Sequence, residues 1–324
     1  RREQTADLKM LADAMFTQGV NMHFYHGMPY NPKGSDSIEF FASTYFGPGG
    51  SLTPELPAFN AYIEKVSGIM QKGKTYSDVA VYIPYEDGVM KGAYPPERQR
   101  VWVWGEYELR YIYPPTETKA YHPLWINRYF LDKAEYKNAK LIVGDAEFST
   151  LYIDVKYMDA RALKRVLALA IKGLPVCLKG NPKEPGKIKS GNYKEMLNEL
   201  VSLQNVSDDF RKVIDHPPFI QGDSIPEYWC RVGEDGVHYV FLAQWPSKDL
   251  IYPVYSGQSY MKHSDFRELT LNIKGKTIKH KFEFKPYLSL MLKITENGEM
   301  EFIDITFIPK DPIILPREKQ RMNF

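Results

Sequence analysis

A chain of 324 residues with 44% hydrophobic and 25% charged side chains has the make-up of a folded protein of two or three domains, which excludes disordered and fibrous classes. Its 42 Lys and Arg against 40 Asp and Glu leave a net charge of +2, so electrostatics make no case for nucleic acid or an anionic membrane surface as partner. No apolar run of about eighteen residues predicts a membrane span, and two distant cysteines, Cys177 and Cys230, supply neither a disulfide framework nor a zinc cluster.

The chain begins with Arg and enters a helical pattern almost at once, Leu8, Leu11, Ala12, Met15 and Phe16, as expected of a piece of a longer polypeptide. Gly19 is placed to end that helix. A strand pattern follows over 20–26, Val-Asn-Met-His-Phe-Tyr-His, closed by Gly27. Residues 28–56 have no periodicity and are rich in Gly, Pro, Ser and aromatics, the pattern of a functional loop. Thr53 as N-cap and Pro54 in the first turn predict a helix that buries Phe59, Tyr62, Ile63, Val66, Ile69 and Met70 and stops near Gly73. The first domain is therefore drawn at 1–73.

Residues 74–217 alternate strands with helices. The apolar run 78–84 reads as a strand covered on both faces. A helix is predicted over 124–134, a strand over 139–143, a strong helix from Asp159 to Gly173, a buried strand over 174–178 and a helix over 192–203. This alternation predicts parallel pairing in a doubly wound sheet. The aromatic stretch 88–115, with Trp102 and Trp104, reads as an insertion. Residues 218–324 are β-rich, with strands expected at 228–232, 237–243, 267–273, 279–284, 288–294 and 300–307. The turns at 233–236 and Asn297-Gly298 mark hairpins, and a β-sandwich is the expected result. The basic tail from Arg317 is a solvated end.

Chemistry is sparse in this pattern. No glycine-rich loop leads from strand to helix, so neither a phosphate loop nor a dinucleotide fingerprint is available, and no cofactor is expected in this chain. Cys177, inside an apolar run, is expected to be buried and inert. The strongest polar constellation is Asn21, His23, Tyr25 and His26, followed by Tyr30 and Asn31. Asn21, His23 and Tyr25 share one side of a strand and Met22, Phe24 and His26 the other. At the C-terminal end of a strand, beside a long loop, His26 is where an α/β barrel places functional groups; for His23 a packing role is the better reading. Glycosidic hydrolysis needs two carboxylates. Asp36, Glu39 and Glu55 lie in or beside the loop without an acid/base setting, Glu55 being explained by the helix dipole. Asp145 and Glu147, after the strand expected to end at Val143, read as solvated loop.

The run 19–27, GVNMHFYHG, together with YFGPGGSLT at 45–53, the helix 58–73 and DVAVYIP at 78–84, resembles glycoside hydrolase family 106, the α-L-rhamnosidases, where the first run is the last barrel strand. YWCR at 228–231, VHYVF at 237–241 and FIDI at 302–305 are similar to the family's β-sandwich. The resemblance implies a multidomain α/β plus β architecture: the end of a (β/α)8 barrel over 1–73, a flavodoxin-like α/β domain over 74–217 and a β-sandwich over 218–324. It further implies hydrolysis of terminal L-rhamnosides with inversion by two carboxylates, with calcium near the sugar. Both carboxylates and the calcium ligands would stand on upstream polypeptide. In this chain it leaves His26 as a substrate contact, with Tyr30 and Asn31 beside it, no catalytic or metal residue, no hydrolysis by this chain alone and an extracytoplasmic setting. Two other readings stand beside it. One is a non-catalytic carbohydrate-binding module using Trp102, Trp104, Trp125, Trp229 and Trp245, whose roles core packing explains better. The other is a structural module for oligomerisation.

Overall fold

The computed structural model describes residues 4–25, 46–90, 113–246 and 256–314. They fall into two compact units, Arg1–Lys74 with Ile220–Phe324, and Thr75–Phe219. The first and last stretches of the sequence, expected as separate domains, thus share one core.

In the first unit, α1 (Thr5–Phe16) is buried on nearly every side. The stripe drawn from its leucines is only half right: Phe16 and Ala12 are buried, but Met15 is exposed and Leu8 and Leu11 are half-buried, while Asp7, Lys9 and Asp13 lie inside. Hydrophobic periodicity misplaces the buried face because the buried charges satisfy one another. Lys9 Nζ is 2.6 Å from Asp13 Oδ2, and Asp13 also accepts hydrogen bonds from Tyr62 (2.5 Å) and Ser289 (2.7 Å). Asp7 accepts from the amides of Gly257 (2.8 Å) and Ser259 (3.0 Å) and from the Ser259 hydroxyl (2.7 Å).

α2 (Leu56–Met70) starts later than the sequence suggests, since the Thr53 hydroxyl turns to the Gly47 carbonyl (2.9 Å) instead of capping the helix. Its buried stripe of Phe59, Tyr62, Val66, Ile69 and Met70 is as expected, with Ile63 only partly covered. Residues 20–25 form no strand, because no strand among the described residues pairs with them.

After the short β1 (Lys74–Thr75), the second unit opens with β2 (Val79–Tyr82) and α3 (Tyr85–Met90), whose residues 85–90 fall where a loop or strand insertion was expected to begin. Residues 124–134, read as one helix, divide into β3 (Leu124–Ile126) and α4 (Arg128–Lys133). Asn127 makes the break by accepting the Phe130 amide at 3.3 Å. The expected strand at 139–143 does not join the parallel sheet: β4 (Glu135–Lys137), β5 (Lys140–Val143) and β6 (Ala146–Phe148) form an antiparallel meander. The strand that does join, β7 (Thr150–Ile153), is followed by α5 (Ala160–Ile171), β8 (Val176–Leu178), α6 (Tyr193–Ser202) and β9 (Val206–Ser207). The parallel order β3-β2-β7-β8-β9 is second, first, third, fourth, fifth along the chain, one of the two common doubly wound orders. Both faces are covered: Ala80 and Tyr82 pack toward α5 and α6, while Val79 and Val81 pack with Tyr152, Cys177 and Phe210. Burial pushes the Cys177 thiol up to about 12, which keeps it inert as expected.

The chain then returns to the first unit with two antiparallel sheets. One joins β10 (Ile220–Gln221), β13 (Asp265–Ile273) and β14 (Lys276–Phe284) in the order β10-β13-β14; the other, in the order β1-β11-β12-β15-β16, adds β11 (Glu227–Val232), β12 (His238–Ala243), β15 (Leu290–Ile294) and β16 (Met300–Ile303). The last expected strand ends at Ile303, short of Phe307. Tyr239, Phe241 and Met291 of the larger sheet meet Phe16, Phe59, Tyr62 and Val66 of the two helices, with Phe307 between them.

Candidate functional site

A cleft of about 330 Å³ lies in the first unit between residues 22–25 and α2, walled by Met22, His23, Tyr25, Asn60, Ile63, Glu64 and Ser67. Three features of the local sequence build it. Gly19, at φ +89°, turns the chain out of α1, and its missing Cβ admits the Trp229 ring, which would stand 2.5 Å from such an atom. The alternation read from the sequence is kept only in part: the His23 ring meets Phe16 edge-on at 4.6 Å, the Asn21 backbone carbonyl accepts from Gln71 at 2.9 Å, and Tyr25 stacks on Phe46 at 3.9 Å while itself 39% exposed. Met22 and Phe24 are exposed, Phe24 at 86%. On the other wall, Asn60, Glu64 and Ser67 are spaced by four and three residues and so share one face of α2.

The chemistry of this cleft is that of a polar, uncharged ligand. Tyr25 donates to Asn60 Oδ1 at 2.5 Å, fixing the amide as an acceptor there. Both ring nitrogens of His23 and the hydroxyl of Ser67 are buried without a hydrogen-bond partner among the described residues, a costly arrangement of about 1–3 kcal/mol per group unless something completes it. Burial lowers the His23 pKa, against an opposing pull from the Asp13 carboxylate, so the ring is neutral at pH 7 and offers one donor and one acceptor. Burial also raises the Tyr25 phenol, keeping its proton in place. Among the described residues the cleft has one carboxylate, Glu64, where glycosidic hydrolysis takes two.

His26, Tyr30 and Asn31 lie outside the described residues, as do Asp36, Glu39, Trp102 and Trp104. His23, read as packing, instead lines the cleft as well as meeting Phe16. Glu55 stands before α2, 3.9 Å from Lys310. Asp145 sits in the turn between β5 and β6 and Glu147 on β6, both exposed and both away from the ends of the parallel strands, because their segment folded as the meander. Trp229 and Trp245 pack against the first core and Trp125 against the second, as the packing reading expected. Sequence reasoning missed Asn60, Glu64 and Ser67; the signal was their shared helical face opposite the apolar stripe.

In the second unit, the crevice where the strand order reverses, between the ends of β2 and β7, is the usual ligand position of such sheets. Here α3 fills it. Asp87 accepts from the amides of Lys156 (3.0 Å) and Tyr157 (2.7 Å), and Glu86 from the Tyr82 hydroxyl (2.8 Å). A carboxylate of the chain thus holds the amides a flavin or nucleotide phosphate would use. Among the described residues no group of three or more His, Cys, Asp or Glu is placed to hold a metal ion. Nor is any described helix long and apolar enough to cross a membrane.

Compared with known proteins, the sequence matches no family model and no curated protein. The fold does have a likeness: a rhamnosidase from Novosphingobium sp. PP1Y superposes with a TM-score of 0.55 at 16% identity, over 96% of this chain and 30% of that one. The chain therefore has a rhamnosidase-like fold and spans under a third of that enzyme's length.

Proposed function

We propose that this chain is the C-terminal part of a glycoside hydrolase resembling the inverting α-L-rhamnosidases of family 106, and that the cleft at His23 and α2 receives a sugar. The observation that carries the reading is the fold likeness to a rhamnosidase along 96% of the chain. The cleft adds chemical sense: Asn60, Glu64 and a neutral His23 can donate to and accept from hydroxyls, with Glu64 its one carboxylate among the described residues. His26, Tyr30 and Asn31 follow Tyr25 directly or within six residues and would extend the contacts. In this reading the catalytic acids and any calcium belong to the rest of the enzyme, and the barrel end and β-sandwich are the roles of residues 1–73 and 218–324. A polymeric substrate would place it outside the cytoplasm.

A second reading, a carbohydrate-binding module without catalysis, is favoured by Glu64 being the one carboxylate in the cleft among the described residues. Calorimetry of the chain with L-rhamnose, beside an assay on an aryl α-L-rhamnoside, tests both. The expected result is binding without turnover, weakened about tenfold by Asn60→Ala or Glu64→Gln. Absence of binding to L-rhamnose and to a panel of other monosaccharides would remove both readings. Turnover by this chain alone would refute the assignment of the catalytic acids to other polypeptide.

A further inference from the structure

We infer that the second unit carries a separate binding site for an acidic sugar, a glycan unit bearing a carboxylate, at the C-terminal edge of β7 and β8. The inference stands on this unit alone and does not need the cleft of the first. A cavity of about 630 Å³ opens there, within the range of small-molecule sites. Tyr157, Met90 and Leu197 give it apolar walls, and Asn181, Lys183 and Lys194 give it polar ones.

Its frame is fixed. The Lys183 amide donates to the Lys156 carbonyl at 2.8 Å and the Met158 amide to the Lys183 carbonyl at 3.1 Å, so the loops that follow β7 and β8 are joined edge to edge. Within the later loop both charged side chains bond to backbone: the Glu184 carboxylate accepts the Ser190 amide at 2.8 Å and Lys189 donates to the Glu184 backbone carbonyl at 2.6 Å. Lys183 and Lys194 are exposed and have no ion-pair partner among the described residues. They leave an excess of positive charge at the rim. Tyr193, also in the lining, is 8% exposed, yet its hydroxyl has no hydrogen-bond partner among the described residues. An unsatisfied buried hydroxyl beside a cavity marks a place for a ligand oxygen. Tyr193 opens α6, where Asn192 makes no side-chain cap and Glu195 stands in the first turn.

The mixture selects the ligand. Apolar walls with an aromatic ring suit the face of a pyranose, and Asn181 suits its hydroxyls. The two lysines suit one carboxylate. A nucleotide fits worse, because Asp87 already holds the amides that phosphate would need.

Calorimetry of the full chain with trigalacturonate, with maltotriose as the neutral comparison, tests the site. Trigalacturonate is expected to bind and to weaken at high salt, and maltotriose to bind at least about tenfold more weakly. The double variant Lys183→Ala/Lys194→Ala, both positions being exposed, should keep its circular dichroism and lose about tenfold in affinity. Tyr157→Ala should weaken it as well. Glu64→Gln, in the other unit, should leave it unchanged, and the lysine variant should leave L-rhamnose binding unchanged. No trigalacturonate binding, equal binding of maltotriose, or indifference to the lysine pair would each overturn the inference.

Discussion

In the second unit α5 buries Ala162, Leu163, Val166, Leu167, Leu169 and Ala170 and no charged side chain. In the first, α1 buries Lys9, Asp7 and Asp13 beside Ala12 and Phe16. A helix of the first kind is held by the area of apolar surface it covers, and its core can adjust by repacking. A helix of the second kind is held only where each charge meets its partner: Lys9 reaches Asp13 and the Ser289 hydroxyl (3.2 Å), and Asp7 reaches the 257–259 turn. Such an arrangement contributes little net stability over apolar packing, but it makes one docking position much better than its neighbours. The cleft is built on that docked helix, since the chain leaves α1 through Gly19 and places His23 against Phe16.

The largest test of this contrast removes one charge. Asp13→Ala should destabilise the first unit by about 3–5 kcal/mol, because it leaves Lys9 buried and unpaired. Lys9→Met with Asp13→Leu should recover most of that loss. Urea unfolding followed by hydrogen exchange in each unit would show it, and a loss below about 1 kcal/mol for Asp13→Ala would break the comparison.

The next effect belongs to the second unit. Burial drives the His122 pKa down from 6.5 to about 4. A histidine depressed in the folded state takes up its proton first in the unfolded chain. Its contribution is thus whole above pH 6.5 and is lost as pH falls toward 4, at a cost of about 3 kcal/mol. His122→Asn accepts the left-handed backbone at φ 51° and should flatten that slope in the exchange of β2 and β7 amides.

Smaller still is the cap of α5, where Asp159 accepts the amides of Arg161 (2.8 Å) and Ala162 (3.4 Å). Asp159→Ala should cost about 1 kcal/mol by thermal unfolding, confined to the second unit. Last comes Glu64→Gln, expected to change stability by less than about 0.5 kcal/mol while weakening sugar binding in the cleft. A variant that lost stability and binding together would make Glu64 structural.

How far the sequence could be read follows the same line. The second unit was legible where apolar runs and caps coincided: Asp159 opens α5 and Gly173 follows it, at φ 106°. It failed at 139–143, because a four-residue apolar strand looks the same in a parallel sheet and in a meander. The turn at Asn138 and Ala139, both with positive φ, decided for the meander. The hairpins of the first unit were legible through Gly236 and Asn297-Gly298. Its opening helix was legible too, but not the buried face of that helix, because a buried Lys9 or Asp13 looks like a solvent-facing residue until its partner is known.

Composition and periodicity by themselves determined that the second unit alternates strands and helices in a parallel sheet, that its helix α5 is apolar on one face, and that the last part of the chain is built of antiparallel hairpins. These depend on contacts between residues close in the chain. Tertiary structure alone decided that α1 and α2 share a core with strands more than 160 residues away, that charges go inside with them, and that Asn60, Glu64 and Ser67 meet His23 and Tyr25 in one cleft. Those outcomes depend on which distant surfaces meet, and a linear pattern of apolar residues does not carry that information.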